Sequence, residues 1–219
     1  MKMRNLKNRI FNRKRKDHGA TLIEMIVCFA LLGIFMVCAS ALITSITSIY
    51  YSIRGEICSR EVSDIVMEKI VSELDGAKYF DETVAGANSG NPKISADHKS
   101  IDLFDKTDTR VILRKNNQNK LEIYYYPIEY EQGSTDNRQE TCWYFDDSVY
   151  NGFFVTDLKF YRGGDTIKEE ISTEYGLGSI SMSDYGDNVV LVLLTMTSEK
   201  YGVYHYHRFV RMTNVKDTT

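Results

Sequence analysis

The N-terminal stretch of residues 13–43 constrains this chain more than any other part of it. A basic cluster, RKRK, occupies residues 13–16, Gly19 follows, and an apolar run extends from Leu22 to Ile43. As an α-helix this run is about 33 Å long at ~1.5 Å per residue, and a bilayer hydrocarbon core is about 30 Å thick. Because Lys and Arg clusters beside a span stay on the cytoplasmic side, the pattern predicts one membrane-spanning helix with the C-terminus outside.

One charged residue, Glu24, stands inside the apolar run. A carboxylate in a lipid-embedded helix is costly unless a partner pairs with it, although a side chain near the end of a span can also snorkel to the headgroups. A cut after Gly19 would make Ala20 a free amino terminus four residues before Glu24, so that neighbouring helices could pair the two charges. Thr21 suits the first turn of a helix, where its hydroxyl can serve an unpaired backbone N–H.

Residues 19–36, GATLIEMIVCFALLGIFM, resemble the class III signal of type IV pilins and type II secretion pseudopilins. In that family a short basic leader ends in Gly, and Thr-Leu-x-Glu follows one residue later inside an apolar helix. The resemblance implies that a membrane prepilin peptidase cuts between Gly19 and Ala20 and N-methylates Ala20. The family usually has Phe where this chain has Ala20, a departure that bears more on methylation than on the cut.

The resemblance also implies an assembly site at the start of the mature helix. Thr21, Leu22 and Glu24 would form it, and Glu24 would neutralise the amino terminus of an adjacent subunit. The implied partners are prepilin peptidase, other pilin or pseudopilin subunits contacted through the N-terminal helix, an inner-membrane assembly platform with its ATPase machinery, and membrane lipid. The protein would lie first in the cytoplasmic membrane and then at the cell surface or in an extracellular filament.

The expected function is therefore that of a subunit, not an enzyme. Type IV pilus, competence pilus and type II secretion filament all remain open. About 200 mature residues favour a minor pilin or pseudopilin over a major pilin, and Glu24 argues against the tip pseudopilin type, which lacks this acid. The alternative is a signal-anchored extracytoplasmic binding protein or enzyme that forms no filament. An ordinary secretory signal would instead be cut near residues 39–41.

The charge distribution argues against nucleic acid as a direct partner. The formal net charge is −3, but residues 1–19 carry roughly +7, so that their removal leaves about −10 on the remainder. An acidic surface does not favour phosphate binding. A DNA-uptake pilin would need a basic patch on the mature domain, and residues 110–114 and 208–211 offer only scattered cations.

The helical pattern continues beyond the membrane segment. Residues 20–43 form the predicted membrane and assembly helix, and residues 44–80 form its soluble continuation, with a possible bend at Arg54-Gly55. An i, i+4 apolar stripe marks the face expected to pack against a sheet, and Gly76 is a stop signal. The stripe consists of Cys58, Val62, Val66, Ile70 and Leu74.

The remainder of the chain predicts a β domain. Residues 81–99 are rich in Gly, Asn and Ser and predict a loop, and residues 100–219 predict an extracytoplasmic antiparallel domain. The fold class is therefore α+β, a long N-terminal helix packed against an antiparallel β-sheet. Residues 162–188 predict loops with room for one short helix. The predicted strands are Ser100–Phe104, Arg110–Arg114, Leu121–Tyr126, Cys142–Phe145, Phe153–Tyr161, Val189–Thr197 and Val203–Met212.

The other candidate sites carry weaker signals. Cys58 and Cys142 would both be outside the cytoplasm and could form one disulfide between helix and sheet. His205 and His207 lie at i, i+2 on one strand, but no third ligand accompanies them at metal-site spacing, and the acidic residues at 146–147 and 184–187 lack the spacing of a calcium loop. The sequence predicts no metal and no cofactor, and it contains no nucleophile-elbow, zinc-protease, P-loop or dinucleotide motif.

Overall fold

The computed structural model describes residues 21–78, 92–107, 109–126, 141–178 and 180–215. These residues fall into two compact units, the first ending at Tyr50 and the second beginning at Tyr51. Helix α1, Leu22–Gly76, contributes residues to both units. Gly19 and Ala20, where cleavage is predicted, lie outside the described residues.

The described part of the first unit is an apolar helix with exposed side chains. Its most apolar 18-residue window has a mean hydropathy of 2.8 with no residue buried, and the helix is long and apolar enough to cross a membrane. The hydroxyls of four residues each donate to the carbonyl four residues earlier, which satisfies them without outside partners. They belong to Ser40, Thr44, Ser45 and Thr47.

The described residues of the second unit form two antiparallel sheets where the sequence predicted one. The first sheet has five strands in the order β1-β2-β3-β4-β5, and the second has three in the order β6-β7-β8. The strands of the first sheet are β1 Lys93–Ile94, β2 Ser100–Phe104, β3 Arg110–Lys115, β4 Leu121–Tyr126 and β5 Thr141–Tyr144. Those of the second are β6 Phe154–Arg162, β7 Val189–Ser198 and β8 Gly202–Arg211.

Within the ranges that the structure describes, three short helices connect these strands. Helix α2, Asp147–Tyr150, lies between β5 and β6, and helix α3, Glu169–Glu174, lies between β6 and β7 together with a 3-10 helix, Met182–Asp184. Helix α3 is the short helix for which the sequence left room. Strand β1 falls within the predicted loop, and α2 was not predicted.

The part of α1 that belongs to the second unit is buried in one core shared by both sheets. The predicted stripe is confirmed at Val62, Val66, Ile70 and Leu74, none of which is more than 3% exposed. The first sheet contributes Ile101, Leu103, Val111, Leu113, Leu121 and Ile123 to this core, and the second contributes Val155, Leu158, Phe160, Val190, Val192, Leu194, Met196 and Val210. The helix therefore holds the two sheets together through apolar burial, the dominant favourable contribution to folding.

Strand β7 is the central strand of the second sheet and is buried on both faces. Val192 and Leu194 face the core beside α1. Leu191 and Leu193 face a second cluster with Tyr175, Leu177 and Met182 from the connection between β6 and β7. The chain between β6 and β7 therefore forms an outer layer over the second sheet.

Helix α1 continues through Arg54-Gly55 without a break. Gly55 is buried, and a Cβ at this position would lie 2.6 Å from the Tyr204 hydroxyl and 2.8 Å from the Cβ of Tyr201. The glycine thus permits close packing of the helix against the β7–β8 hairpin. One turn later, the hydroxyls of Ser59 and Tyr206 are hydrogen-bonded at 2.6 Å.

Two turns of the first sheet contact the edge of β6. The amide of Phe160 donates to the His98 carbonyl at 2.8 Å, and the amide of Val155 donates to the Asn119 carbonyl at 2.8 Å. His98 and Asn119 both have φ of 60°, a backbone conformation that non-glycine residues adopt uncommonly. The His98 ring also stacks on Tyr161 with a centroid distance of 4.4 Å. These contacts cover part of the outer edge of β6.

Candidate assembly site

Helix α1 begins with a reciprocal pair of hydrogen bonds between Thr21 and Glu24. The Glu24 amide donates to the Thr21 hydroxyl oxygen at 3.3 Å, as predicted for Thr21. In return, a carboxylate oxygen of Glu24 accepts from the Thr21 amide at 2.7 Å and from the Thr21 hydroxyl at 3.1 Å. This geometry is a capping box, in which an N-cap Thr and a Glu three residues later satisfy each other's backbone donors.

The capping box fixes the position of the Glu24 carboxylate. The side chain folds back to the amino end of the helix, where the helix dipole favours a negative charge. Thr21 follows Ala20 directly in the chain, so the carboxylate is held at the end of the helix where the predicted cut would create a new amine. Glu24 is thus oriented along the helix towards its start.

The neighbours of Glu24 on the helix are apolar and exposed. Leu22 is 83% exposed and Ile23 is 69% exposed. No cation from the described part of the chain forms an ion pair with Glu24. Since a carboxylate surrounded by lipid or by apolar side chains is strongly favoured by a nearby cation, this arrangement can select a partner that carries a positive charge at the matching depth.

The reciprocal role of Glu24 was not predicted. The sequence suggested that Thr21 would cap the helix, but it treated Glu24 only as a charge to be neutralised by another subunit. The Thr-x-x-Glu spacing itself is the signal that could have indicated the capping box. The carboxylate therefore has two tasks, one within its own helix and one predicted between subunits.

Cys58 and Cys142, which the sequence suggested as a possible disulfide pair, are both free cysteines in the structure. Cys142 is exposed on strand β5, and its Sγ lies 3.5 Å from a carboxylate oxygen of Glu122 on the neighbouring strand. Cys58 instead lies on α1 and packs against the main core. Apolar packing and side-chain hydrogen bonds connect the helix to the sheet.

A polar cluster makes one of these connections. Lys69 on α1 donates to the Glu73 carboxylate at 2.6 Å and to the Tyr125 hydroxyl at 3.3 Å, and its ammonium lies 4.7 Å from the centre of the Trp143 ring. Burial lowers the pKa of Lys69, but the hydrogen bonds to Glu73 and Tyr125 outweigh that effect and leave the pKa raised. The ammonium therefore stays charged between the helix and the first sheet.

The two histidines of β8 are held by protein partners. The Nδ1 of His205 lies 3.1 Å from the Thr195 hydroxyl, and that of His207 lies 3.1 Å from the Tyr175 carbonyl. Among the residues described by the structure, no group of three or more His, Cys, Asp or Glu side chains could hold a metal ion. Asp146 is the N-cap of α2, and the backbone hydrogen bond from Ser148 lowers the pKa of its carboxyl group.

Comparison with known proteins identifies the N-terminal segment. Residues 14–38 match the family model described as the prokaryotic N-terminal methylation motif. No match to a curated protein was found. The motif points to a structural subunit, and it implies processing by prepilin peptidase and assembly with other pilins. The matched residues include Gly19, Ala20 and the capping box, and this chain therefore carries the N-terminal signal of type IV pilins and pseudopilins.

Proposed function

We propose that this chain is a minor pilin or pseudopilin that assembles into a type IV pilus, a competence pilus or a type II secretion-like filament. Prepilin peptidase removes residues 1–19 and methylates the amine of Ala20. The mature helix then packs among those of other subunits, where the Glu24 carboxylate of one subunit pairs with the amino terminus of another. The protein acts through assembly and catalyses no reaction of its own.

The observation that best supports this proposal is the position of the Glu24 carboxylate. It is held 2.7 Å from the Thr21 amide, at the amino end of the apolar segment with which the helix begins. If two subunits stand at the same level in the membrane, the new amine at Ala20 of one lies at nearly the same depth as the Glu24 carboxylate of the other. Because a mispaired carboxylate in an apolar environment is costly, the charge pair would fix the axial position of one subunit against the next.

The basic leader and the apolar helix support a topology with the C-terminus outside. Residues 1–19 stay in the cytoplasm, the span anchors the unprocessed subunit in the cytoplasmic membrane, and the second unit faces outwards. Assembly then involves the inner-membrane platform and its ATPase, and the mature domain moves to the cell surface. The acidic mature chain binds no nucleic acid directly.

The test is an intact-mass measurement with N-terminal sequencing on protein from the native membrane and from the sheared surface fraction. We expect a chain that begins at Ala20 with one methyl group on its amine, present in both fractions. A chain that still begins at Met1, or one cut beyond the apolar run, would overturn the proposal. It would instead indicate a signal-anchored or secreted domain that forms no filament. Replacing Gly19 should abolish the cut.

A further inference from the structure

The outer edges of the two sheets differ in how they are protected. Unpaired N–H and C=O groups on an edge strand can pair with another chain, and natural proteins shorten, bulge or cover such strands. The edges of the first sheet are short, since β1 has two residues and β5 has four. The β6 edge of the second sheet has a register shift between Val155 and Asp157, and the carbonyls of His98 and Asn119 accept hydrogen bonds from it.

Strand β8 is the remaining edge, and it is long and regular. Its ten residues pair with β7 in an unbroken register that runs from Gly202, opposite Ser198, to Arg211, opposite Val189. The strand contains no proline. Among the residues that the structure describes, no backbone hydrogen bond other than those to β7 reaches β8. An edge of this length and regularity is a template for a further strand.

A groove of about 410 Å³ lies beside this edge, and side chains from both faces of β8 line it. Tyr206 points towards α1, where its hydroxyl is hydrogen-bonded to that of Ser59. His207 points the other way, with its Nδ1 3.1 Å from the Tyr175 carbonyl. Because successive side chains of a strand alternate between its two faces, a groove lined by both faces runs along the edge that β7 leaves free.

The groove has a wall on each side of the strand. Glu56 and Arg60 of α1 line it on one side, and Tyr175, at the end of α3, lines it on the other. The Tyr175 ring packs edge-on against the ring of His205 with a centroid distance of 5.1 Å. The groove is therefore bounded by two packed elements, and the edge of β8 forms its floor.

The charges of β8 indicate which kind of strand fits the groove. The strand contains Arg208, Arg211 and two histidines but no acidic residue. Both arginines are exposed, and within the described ranges neither forms an ion pair. The acids nearest the groove already face basic groups, since Glu56 lies 4.0 Å from Arg60 and Glu174 lies 3.5 Å from His205. Opposite charges stabilise a strand pair and like charges destabilise it.

We propose that the groove beside β8 binds an extended acidic segment of another polypeptide, which joins the second sheet as its fourth strand. The backbone of β8 supplies the hydrogen bonds, as in other cases of strand addition. Arg208 and Arg211 are three positions apart and point to opposite faces, so that they pair with acidic side chains on both faces of the added strand. The site lies within the second unit and does not depend on processing of the N-terminal segment.

The test measures peptide binding to the full chain in a neutral detergent by fluorescence anisotropy. The probe is a fluorescein-labelled peptide, EETTEETTEE, which matches the ten residues of β8 and carries acids on both faces. KKTTKKTTKK reverses the charge, and EEPTEEPTEE keeps the charge but replaces two backbone N–H donors by proline. We expect the Kd of EETTEETTEE to be at least tenfold lower than that of either control peptide.

Charge-reversal variants test the two arginines. Arg208→Glu combined with Arg211→Glu should raise the Kd of EETTEETTEE at least tenfold. Lys99→Glu combined with Lys106→Glu is the matched control, because it changes the net charge equally at exposed lysines in turns of the first sheet. This control should change the Kd less than twofold.

Hydrogen exchange followed by mass spectrometry locates the bound peptide on the wild-type chain. EETTEETTEE should slow the exchange of backbone amides in β8 and leave those of β5 unchanged. No binding, or equal Kd values for the acidic and lysine peptides, would overturn the choice of an acidic partner. Equal binding of the proline peptide, or exchange in β8 that the peptide does not slow, would overturn strand addition at this edge.

Discussion

The Glu24 carboxylate accepts a hydrogen bond from the Thr21 amide at 2.7 Å, while the Glu24 amide donates to the Thr21 hydroxyl at 3.3 Å. One side chain thus combines a local role, closing the first turn of the helix, with the predicted role of pairing with an amine on another subunit. The local role needs only a hydrogen-bond acceptor, whereas the second needs a negative charge. Substitutions that separate the two properties can distinguish them.

Glu24→Gln is predicted to block assembly while it preserves the start of the helix. Glutamine also completes a capping box but carries no charge to pair with an amine. We expect cleavage after Gly19 to continue and the amount of subunit in sheared filaments to fall at least tenfold, the effect of about 1.4 kcal/mol. Intact mass of the membrane fraction and quantification of the sheared fraction measure the two effects.

Thr21→Ala is the matched control for the charge. It removes the hydroxyl cap, at a cost of about 1 kcal/mol, but leaves the Glu24 carboxylate in place. Filament yield should therefore remain much closer to the wild-type level than with Glu24→Gln. If Glu24→Gln assembled normally and Thr21→Ala did not, capping alone would account for the role of the Thr21–Glu24 pair, and the charge-pairing role would be wrong.

Gly55→Ala is predicted to destabilise the second unit although alanine is the better helix former. The new Cβ would lie 2.6 Å from the Tyr204 hydroxyl and 2.8 Å from the Tyr201 Cβ, so the hairpin must move. Overpacking of this kind costs about 1–3 kcal/mol, and the gain in helix propensity recovers at most about 1 kcal/mol. We expect a lower Tm for the full chain in detergent.

Gly76→Ala provides the control for the same change on the same helix. A Cβ at Gly76 meets no atom within 4 Å, and this substitution should leave the Tm unchanged or slightly raised. An equal fall in Tm for both variants would show that loss of glycine, and not the contact with the hairpin, is responsible.

The elements that depend on local pattern were predicted well from the sequence. Alternating apolar residues placed β2 and β4 at their observed bounds, and the strand predicted at Val189–Thr197 is observed as β7, Val189–Ser198. The predicted stripe of α1 is the face that the core buries. In each case the spacing of apolar residues along the chain is enough to predict which side chains are buried.

The elements that depend on distant partners were not predicted. Strand β1 has only two residues, Lys93 and Ile94, and exists because they pair with Asp102 and Ile101. A period of two shows which side chains face inwards but not which strands are neighbours, so the division into two sheets was not visible. The sequence suggested a bend at Gly55. The close approach of Tyr204 to this glycine was not visible in the sequence because the two residues lie far apart in the chain.

The two cysteines of the second unit are predicted to remain reduced without loss of stability. Cys58 packs against the core and Cys142 is exposed beside Glu122, and burial raises the pKa of the Cys142 thiol. Full-length protein purified without reductant should react with a maleimide at Cys142, and adding reductant should not change its Tm. A fall in Tm of several degrees on reduction would indicate a stabilising disulfide and contradict the free thiols.

Tyr150 is predicted to make stability sensitive to alkaline pH. The side chain is 3% exposed, and its hydroxyl oxygen accepts a hydrogen bond from the buried Leu121 amide at 2.9 Å. Burial raises the pKa of Tyr150 from 10 to about 12, although the Leu121 hydrogen bond opposes the shift. Because the folded pKa is the higher one, the neutral hydroxyl contributes stability below pH 10, and this contribution is lost as the pH rises towards 12.

The difference in the free energy of unfolding between the wild type and Tyr150→Phe should therefore be largest near pH 7 and shrink between pH 10 and 12. Near pH 7 it leaves the Leu121 amide without an acceptor, which should lower the free energy of unfolding by about 1–3 kcal/mol. Between pH 10 and 12 the wild type should lose about 1–2 kcal/mol more than the variant, since each pKa unit corresponds to at most about 1.4 kcal/mol. Urea unfolding of the full chain in detergent, followed by near-ultraviolet circular dichroism, measures both quantities.

Tyr144→Phe is the control, because Tyr144 is exposed, and its stability should follow that of the wild type at every pH. A constant difference in stability between wild type and Tyr150→Phe across pH 7 to 12 would show that Tyr150 does not titrate in this range.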